Sequence, residues 1–502
     1  MRRLAAAVAL ALAAQGAAQG ADDQAKPEMS PEATPVPHDP RGFGPDPTYA
    51  DKPYDIDEQL RIYGGKSKVP DPRPMLELGR EMYRGGPFQP SGTGLGRKNP
   101  TDQAFSIYGD WRTAVARNNN GKGPSNVLAT RLNLDVDWKL TGTERVHAFF
   151  RPLDHNTEFT RCERDKSPGA NGYRCEAELD AKPETLFFEG DLGALVSGFR
   201  DRYSSVDIPF AVGKIPLLFQ NGIWLEDAFT GVAATIPARN SRRLDISNMD
   251  ITFFAGFDDV DSGGVRNARG GVANRDAHIY GVTSFIEANQ GYWEVGYAYT
   301  AGRGEALFRD QSYHNMAAAF TRRYGGWLSN SVRVISNFGQ HRDPGLERTA
   351  NGTLLLIENS LVTRRPLTLV PYMNLFFGHD RPQSVARAVD AGGILKNTGI
   401  NFETDGLTGF PKLDDTANNT RGGALGVEYL FDLQQQLVFE IAAVRPHGDI
   451  ARTVAGGNQT AVGVRYQRNL DKAWLVRADA IAVDRQNARD TGGIRFEIRR
   501  KF

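Results

Sequence analysis

The sequence predicts an all-β fold: an up-and-down antiparallel β-barrel that crosses a membrane on about 18 strands, with 16 also compatible. Three observations predict it. Segments of about ten residues alternate apolar and polar side chains, the period of a strand with two unlike faces. The connections between them alternate between short and long. Four of the six tryptophans, Trp138, Trp293, Trp327 and Trp474, fall beside short connections.

Composition agrees. Acidic and basic residues balance at 60 each, so neither a nucleic-acid partner nor a strongly steered ionic ligand is indicated. Hydrophobic residues make up 40% and the mean hydropathy is −0.44. No run of about 20 apolar residues occurs, which excludes a helical membrane span. A barrel stays open, because its lipid-facing residues are diluted by inward-facing ones.

Three parts are expected: residues 1–20, 21–103 and 104–502. The first reads as a secretory signal peptide. Arg2 and Arg3 precede the apolar run Leu4–Ala14, and Ala18-Gln19-Gly20 offers small residues for cleavage before Ala21. No cysteine follows the site, so lipid attachment is not expected.

Residues 21–103 form a Pro/Gly-rich extension, periplasmic or partly inside the barrel. Seven prolines between Pro27 and Pro47 forbid regular structure there. One short helix is expected over Arg73–Tyr83, with Met75, Leu78 and Met82 on one face and Gly79 weakening it. Ser91–Lys98, SGTGLGRK, lacks the spacing and the Ser or Thr of a phosphate loop, and reads as a flexible linker.

From Ala104 onward eighteen strands are expected. They begin near Phe105, Val127, Arg145, Glu184, Tyr203, Trp224, Ile246, Asp276 and Tyr292, then Ser312, Leu328, Gly352, Leu367, Arg421, Leu437, Gln459, Trp474 and Gly493. The clearest is Arg131–Leu140, where five apolar residues alternate with Arg131, Asn133, Asp135, Asp137 and Lys139. Those starting at Tyr203 and Gly352 alternate least well.

Short connections are expected at Thr141–Glu144, Gly198–Arg202, Ala288–Gly291, Tyr324–Trp327, Arg364–Pro366, Asp432–Gln436 and Asn469–Ala473. Long ones include Asp154–Pro183, Asp258–Arg275, Ala301–Gln311, Gln340–Asn351, His379–Thr420 and Pro446–Asn458. All the short ones then lie at one end, as in outer-membrane barrels. Ala233–Asp245 is long for its end, and the turn near Asn221 is short for the other. His379–Thr420 is either a surface loop or one that folds inward and narrows the barrel.

The inward set by parity holds Arg131, Asn133, Asp135, Asp137, Lys139, Glu294, Arg333, Glu428, Arg465, Arg477, Asp479, Arg495 and Glu497. Both signs occur, so no ionic selectivity is read from it. Cys162 and Cys175, in an oxidising compartment, are expected to form a disulfide that staples a loop of about 14 residues, worth about 3 kcal/mol. The eight histidines are scattered, with no metal or haem spacing. Asp258-Asp259-x-Asp261-Ser262-Gly263 lacks the closing Glu of a calcium loop and reads as solvated acids. No GxSxG elbow is present. No cofactor, metal or catalytic residue is expected.

The last ten residues, GIRFEIRRKF, alternate and stop on Phe502. This ending resembles the C-terminal strand of Gram-negative outer-membrane β-barrels, where a terminal Phe is the assembly signal. Val212-Gly213-Lys214, followed by Phe229-Thr230-Gly231-Val232, is similar to a pattern of alginate-export-type and phosphate-selective porins. These resemblances imply a porin-like channel, not an enzyme, in the outer membrane of a Gram-negative bacterium, with its N-terminal segment periplasmic. They imply contacts with outer-membrane lipid, lipopolysaccharide, the barrel assembly machinery and small polar solutes; homo-oligomerisation is left open. A filled barrel that binds or scaffolds a partner is the second reading. An outer-membrane hydrolase is the third.

Overall fold

The computed structural model describes residues 73–81, 90–155, 158–165, 172–267, 269–304, 309–342, 345–364, 368–403, 406–432, 434–448 and 457–502. The expected signal peptide and most of the extension lie outside the described residues.

Eighteen antiparallel strands close into a barrel. They are β1 (Thr101–Asn119), β2 (Pro124–Thr141), β3 (Arg145–Phe150), β4 (Pro183–Asp191), β5 (Pro209–Phe219) and β6 (Leu225–Ser241). Next come β7 (Ile246–Asp258), β8 (Ala277–Ala288), β9 (Gly291–Gly302), β10 (Tyr313–Tyr324), β11 (Leu328–Phe338) and β12 (Thr353–Leu361). The last are β13 (Leu369–His379), β14 (Thr420–Asp432), β15 (Gln435–Pro446), β16 (Gln459–Asn469), β17 (Trp474–Arg485) and β18 (Thr491–Lys501). Each pairs with the next in sequence, and β18 returns to β1 with Phe496 opposite Val115. Closure leaves no strand edge facing lipid. Phe502 seals the seam: its N–H donates to the Gly109 carbonyl at 3.0 Å, and the Gly109 N–H donates back at 2.8 Å.

Alternation decides what each strand buries. Trp111, Val115, Leu128, Ile494 and Phe496 face out and are exposed, while Ala114, Ala116, Ala129, Arg495 and Glu497 face in and are buried. Between β6 and β13 the inward face turns apolar towards the long-loop rim. Phe229, Phe254, Ile279, Tyr313, Ile335, Leu354 and Phe376 are buried under loops that fold into the barrel. This explains the poor alternation of β12, TLLLIENSL: both of its faces are apolar over the first half.

Four expectations change. Leu76–Gly79, placed in a helix, is a strand that pairs with Ala104–Ile107 of β1. The free edge of β1 below its pairing with β18 out-competes a short helix already weakened by glycine. Ser91–Lys98, read as a flexible linker, folds back on the start of β1: the Ser91 N–H donates to the Thr101 carbonyl at 2.8 Å, and the Thr101 N–H to the Gly92 carbonyl at 2.9 Å. The short turn expected at Gly198–Arg202 belongs to a helix, α1 (Leu192–Arg200), N-capped by Asp191, which accepts from the Ala194 N–H at 2.7 Å. The following strand therefore starts at Pro209, not Tyr203. Gly198 lies against the backbone at Leu95 and Gly96, a contact that leaves no space for a Cβ.

Ala233–Asp245 is no long turn, because β6 runs on through Ser241 with bulges near Arg239. The expected loop at residues 154–183 carries a hairpin, Arg161–Asp165 and Gly172–Glu176. It extends the wall beyond the six-residue β3 by pairing with Ser125–Ala129 of β2. Cys162 lies opposite Cys175 in that hairpin, and the disulfide is formed.

Candidate functional site

The longest connection, residues 380–419, folds into the barrel and meets the wall on several sides. Its first segment docks on the tight β5–β6 turn. The Val385 N–H donates to the Trp224 carbonyl at 2.8 Å, and Ser384 Oγ to the Ile223 carbonyl at 2.7 Å. Ala386 and Arg387 add a short parallel strand to Leu225 and Glu226. Arg387 and Lys396 both pair with Glu226. The short turn at Asn221 thus serves as the seat for this loop.

Asp390 then crosses to β2, where Arg131 approaches it at 3.1 Å and Arg151 also pairs with it. Burial pushes the Asp390 carboxyl up, but the two guanidiniums outweigh that and hold it below the ordinary aspartate range. The turn at Gly399–Phe402 caps a wall carboxylate: Glu440 of β15 accepts the N–H groups of Ile400 and Asn401, each at 2.9 Å. The Tyr372 hydroxyl of β13 donates to the same group. Phe402 packs edge-on against Phe376.

Glu403 reaches β16 and β17, meeting Arg465 at 2.5 Å and Arg477 at 3.2 Å. The loop then passes β18 and β1. Phe410 lies under the Arg495 guanidinium, and Asn118 donates to the Thr408 carbonyl at 2.7 Å.

The residues singled out by parity distribute as follows. Arg465, Arg477 and Arg495 converge on Asp479, and Arg112 meets Glu497 at 2.7 Å. Arg131 bridges Asp154 and Asp390. Asn133 donates to Asp110, and Lys139 meets Asp102 at 3.3 Å. Asp137 lies 3.6 Å from Arg145, and Asp135 sits opposite Tyr108 in the β1–β2 register. Arg333 pairs with Glu358 at 2.7 Å and stands 3.9 Å from Glu294. Glu428 accepts from Gln436 across the β14–β15 pair. One centre therefore gathers Arg465, Arg477, Asp479 and Arg495; Arg131 belongs to the contacts with Asp154 and Asp390, and most of the others to separate contacts between neighbouring strands.

Parity could not find Arg387, Asp390, Lys396 or Glu403, because loop residues have no period. Their one signal is isolated charge in a loop rich in Gly, Asn and Thr. The acids from Asp258 to Asp261 form no metal cage; among the described residues no three potential metal-ligating side chains converge. Asp259 pairs with Lys214 at 3.2 Å, and the Asp261 N–H donates to Asp227 at 2.8 Å. Burial, followed by the nearby Asp259 and Asp390 charges, pushes the Asp261 carboxyl up to about 6.

No protein-family model matches the sequence, and no curated protein does. Solved structures do. The outer membrane protein OpdK of Pseudomonas aeruginosa is similar at 12% identity and a TM-score of 0.50, over 79% of this chain and 98% of that one. OccK9 (OpdG) of the same bacterium gives 14% and 0.50, over 79% and 98%. OccK11 (OpdR), also from Pseudomonas aeruginosa, gives 11% and 0.50, over 79% and 96%. At these identities the likeness is one of fold: the chain has the barrel architecture of an outer-membrane protein.

Proposed function

We propose that the protein is an outer-membrane channel through which small polar solutes diffuse passively, with the loop at residues 380–419 as its constriction. One observation carries this reading. Ionisable side chains that point into a closed wall keep contact with solvent: the side chain of Glu294 is 27% exposed, Lys139 25% and Glu358 21%. Only water inside the barrel reaches them, and a wet polar lumen lowers the barrier for hydrated solutes.

In this reading the short turns and Phe502 face the periplasm and the long loops face outward, as in other barrels of this kind. The pore lining is drawn from the set named by parity, within which Arg333, Asp479, Arg495 and Glu497 are buried and hold the wall and loop together, and from Glu403 and Asp390 of the loop. The resemblance of Val212–Lys214 and Phe229–Val232 to alginate-export-type and phosphate-selective porins supplies architecture and no substrate. In the structure these residues face one another, Gly213 opposite Gly231. A second reading, a filled barrel that scaffolds a partner, draws on the many walls that the loop touches.

Planar-bilayer recording on the full-length protein tests the proposal. Stepwise conductance proportional to bulk electrolyte conductivity is expected, with larger steps after the loop is shortened. Absence of open-channel steps in both forms would overturn the channel and leave the filled barrel.

A further inference from the structure

The constriction loop leaves the wall at Asp380 and returns to it at Asn419, and these two stems are bound to each other. The Asp380 N–H donates to Asn419 Oδ1 at 2.8 Å, and the Asn419 N–H donates to the Asp380 carbonyl at 3.0 Å. The connection between β11 and β12, residues 339–352, lies against the first stem. The Asn351 N–H reaches the Arg381 carbonyl at 3.4 Å, and the approach of Gly352 to the Arg381–Pro382 backbone leaves no space for a Cβ. Three stretches of backbone therefore fix one another at the long-loop rim.

They enclose a recess of about 400 Å³, within the size range of ligand pockets. Glu347, Arg348, Asn351, Asp380, Arg381 and Asn419 form its polar lining, and Gly345 and Leu346 its apolar part. Much of the polar lining is uncommitted. Arg381 pairs with Glu347. Among the described residues, no side-chain hydrogen bond engages Arg348, Asn351 or the Asp380 carboxylate, whose nearest cation is His379 at 3.7 Å. Asn419 is 4% exposed; its side-chain oxygen accepts from Asp380, while its amide N–H groups have no acceptor among the described residues. An amide so buried is costly to leave unpaired unless water or a ligand group in the recess meets it.

We propose that this recess is an entry subsite that captures neutral, polyhydroxylated solutes of up to disaccharide size before they pass the constriction. Its uncommitted groups are of both kinds: Arg348 and the Asn419 amide donate, Asp380 accepts, and Asn351 does both. A hydroxyl also donates and accepts, so one solute bearing several can meet them all. A carboxylate or phosphate would suit the guanidiniums and confront Asp380 and Glu347. An amine would suit those carboxylates and confront Arg348 and Arg381. Two charges of each sign line the recess, so neither kind of ion is favoured. Leu346 offers an apolar contact to the C–H face of a sugar ring. The three stems already hold the backbone, which leaves little ordering to be done on binding. The proposal rests on the channel reading for its place on a permeation path, and its binding step is measured without conductance.

The test uses the full-length protein in a polyoxyethylene detergent, which carries no sugar. It is titrated with maltose, with citrate and with L-glutamine, and binding is read by isothermal titration calorimetry. Maltose is expected to bind about tenfold tighter than the anion or the zwitterion. N351L and D380N should each lose about tenfold in maltose affinity, the effect of one hydrogen bond removed from a dry site. Asn adopts the left-handed backbone of Asp380 as readily as Asp does, so D380N keeps the stem. R348Q, at an exposed position, should lose affinity with the thermal midpoint unchanged, which guards against misfolding of the other two. R164Q, on the exposed disulfide hairpin, should change nothing. Equal maltose affinity in wild type and all three recess variants overturns the site. So does citrate or L-glutamine binding as tightly as maltose, or no maltose binding at all. Maltose binding without channel conductance would sink the channel reading alone. Conductance steps without maltose binding would sink this proposal alone.

Discussion

Glu403, on the loop inside the barrel, bridges Arg465 of β16 and Arg477 of β17 at 2.5 and 3.2 Å. One carboxylate thus ties the loop to two neighbouring staves of the wall. Both arginines also meet Asp479, so they stay paired if Glu403 is neutralised. Glu403→Gln should therefore loosen the loop without unsettling the wall. The expected result in bilayers is larger mean conductance with added gating noise, while the thermal midpoint moves by no more than about 1 kcal/mol of stability, as for other part-exposed pairs.

The same contact fixes a pH limit. Burial raises the Glu403 carboxyl, but Arg465 and Arg477 outweigh it and the net shift is downward from 4.5. A depressed folded-state pKa gives stability that is present above the unfolded value and lost as pH falls through the folded one. Loop noise in the wild type should stay constant from pH 8 to 5 and rise only below about pH 4.5. Recordings across that range, with Glu403→Gln as the pH-independent control, check it.

Asp261 should act in the opposite sense. Its carboxyl is raised from 3.8 to about 6, so the folded chain keeps a proton that the unfolded chain has lost. Stability then declines as pH rises between those two values and levels off above the higher. Asp261→Asn should remove that decline. Its thermal midpoint relative to wild type is expected to rise from pH 4 to pH 6 and remain constant to pH 8. An unchanged difference over the whole range would refute the assignment.

Much of the barrel was legible because lipid imposes a period. Seventeen of the eighteen strand starts were placed within four residues, as in β2 and β18; the exception, Tyr203 for Pro209, follows the helix α1. Legibility failed where that contrast fails. β12 is apolar on both faces because Leu354 and Leu356 meet inward-folded loops. The helix α1 and the edge strand Leu76–Gly79 depend on partners distant in sequence, β1 above all. The constriction was half legible. Its wall arginines follow from parity, whereas Asp390 and Glu403 sit where no period marks which way a side chain points.

Trp224 should prove more damaging to lose than any charged residue of the constriction. It is fully buried, its indole N–H donates to Asn315 Oδ1 at 2.8 Å, and Asn315 in turn donates to the Gln383 carbonyl at 2.9 Å. The indole ring occupies the space where a side chain at Gly296 would stand. Trp224→Ala is expected to cost about 3–5 kcal/mol and to free the segment Ser384–Ala388. Gly296→Val should reproduce the release by pushing the ring away while keeping Trp224 itself. Limited proteolysis of the loop, together with conductance, separates this from simple barrel unfolding, which would abolish both signals.

The disulfide should matter locally and not for permeation. Cys162 and Cys175 join two strands of a hairpin that pairs with the rim end of β2, where Cys162 stands opposite the outward-facing Leu128. Cross-linking a loop of this size restricts the unlinked hairpin by about 3 kcal/mol. In Cys162→Ser/Cys175→Ser, Arg161–Glu176 should become protease-sensitive while the barrel keeps its thermal midpoint and its conductance steps. If conductance changed together with hairpin cleavage, the hairpin would have to be counted as part of the permeation path. The ion pairs of Arg131 and Arg151 with Asp390 would then be the route by which it reaches the lumen.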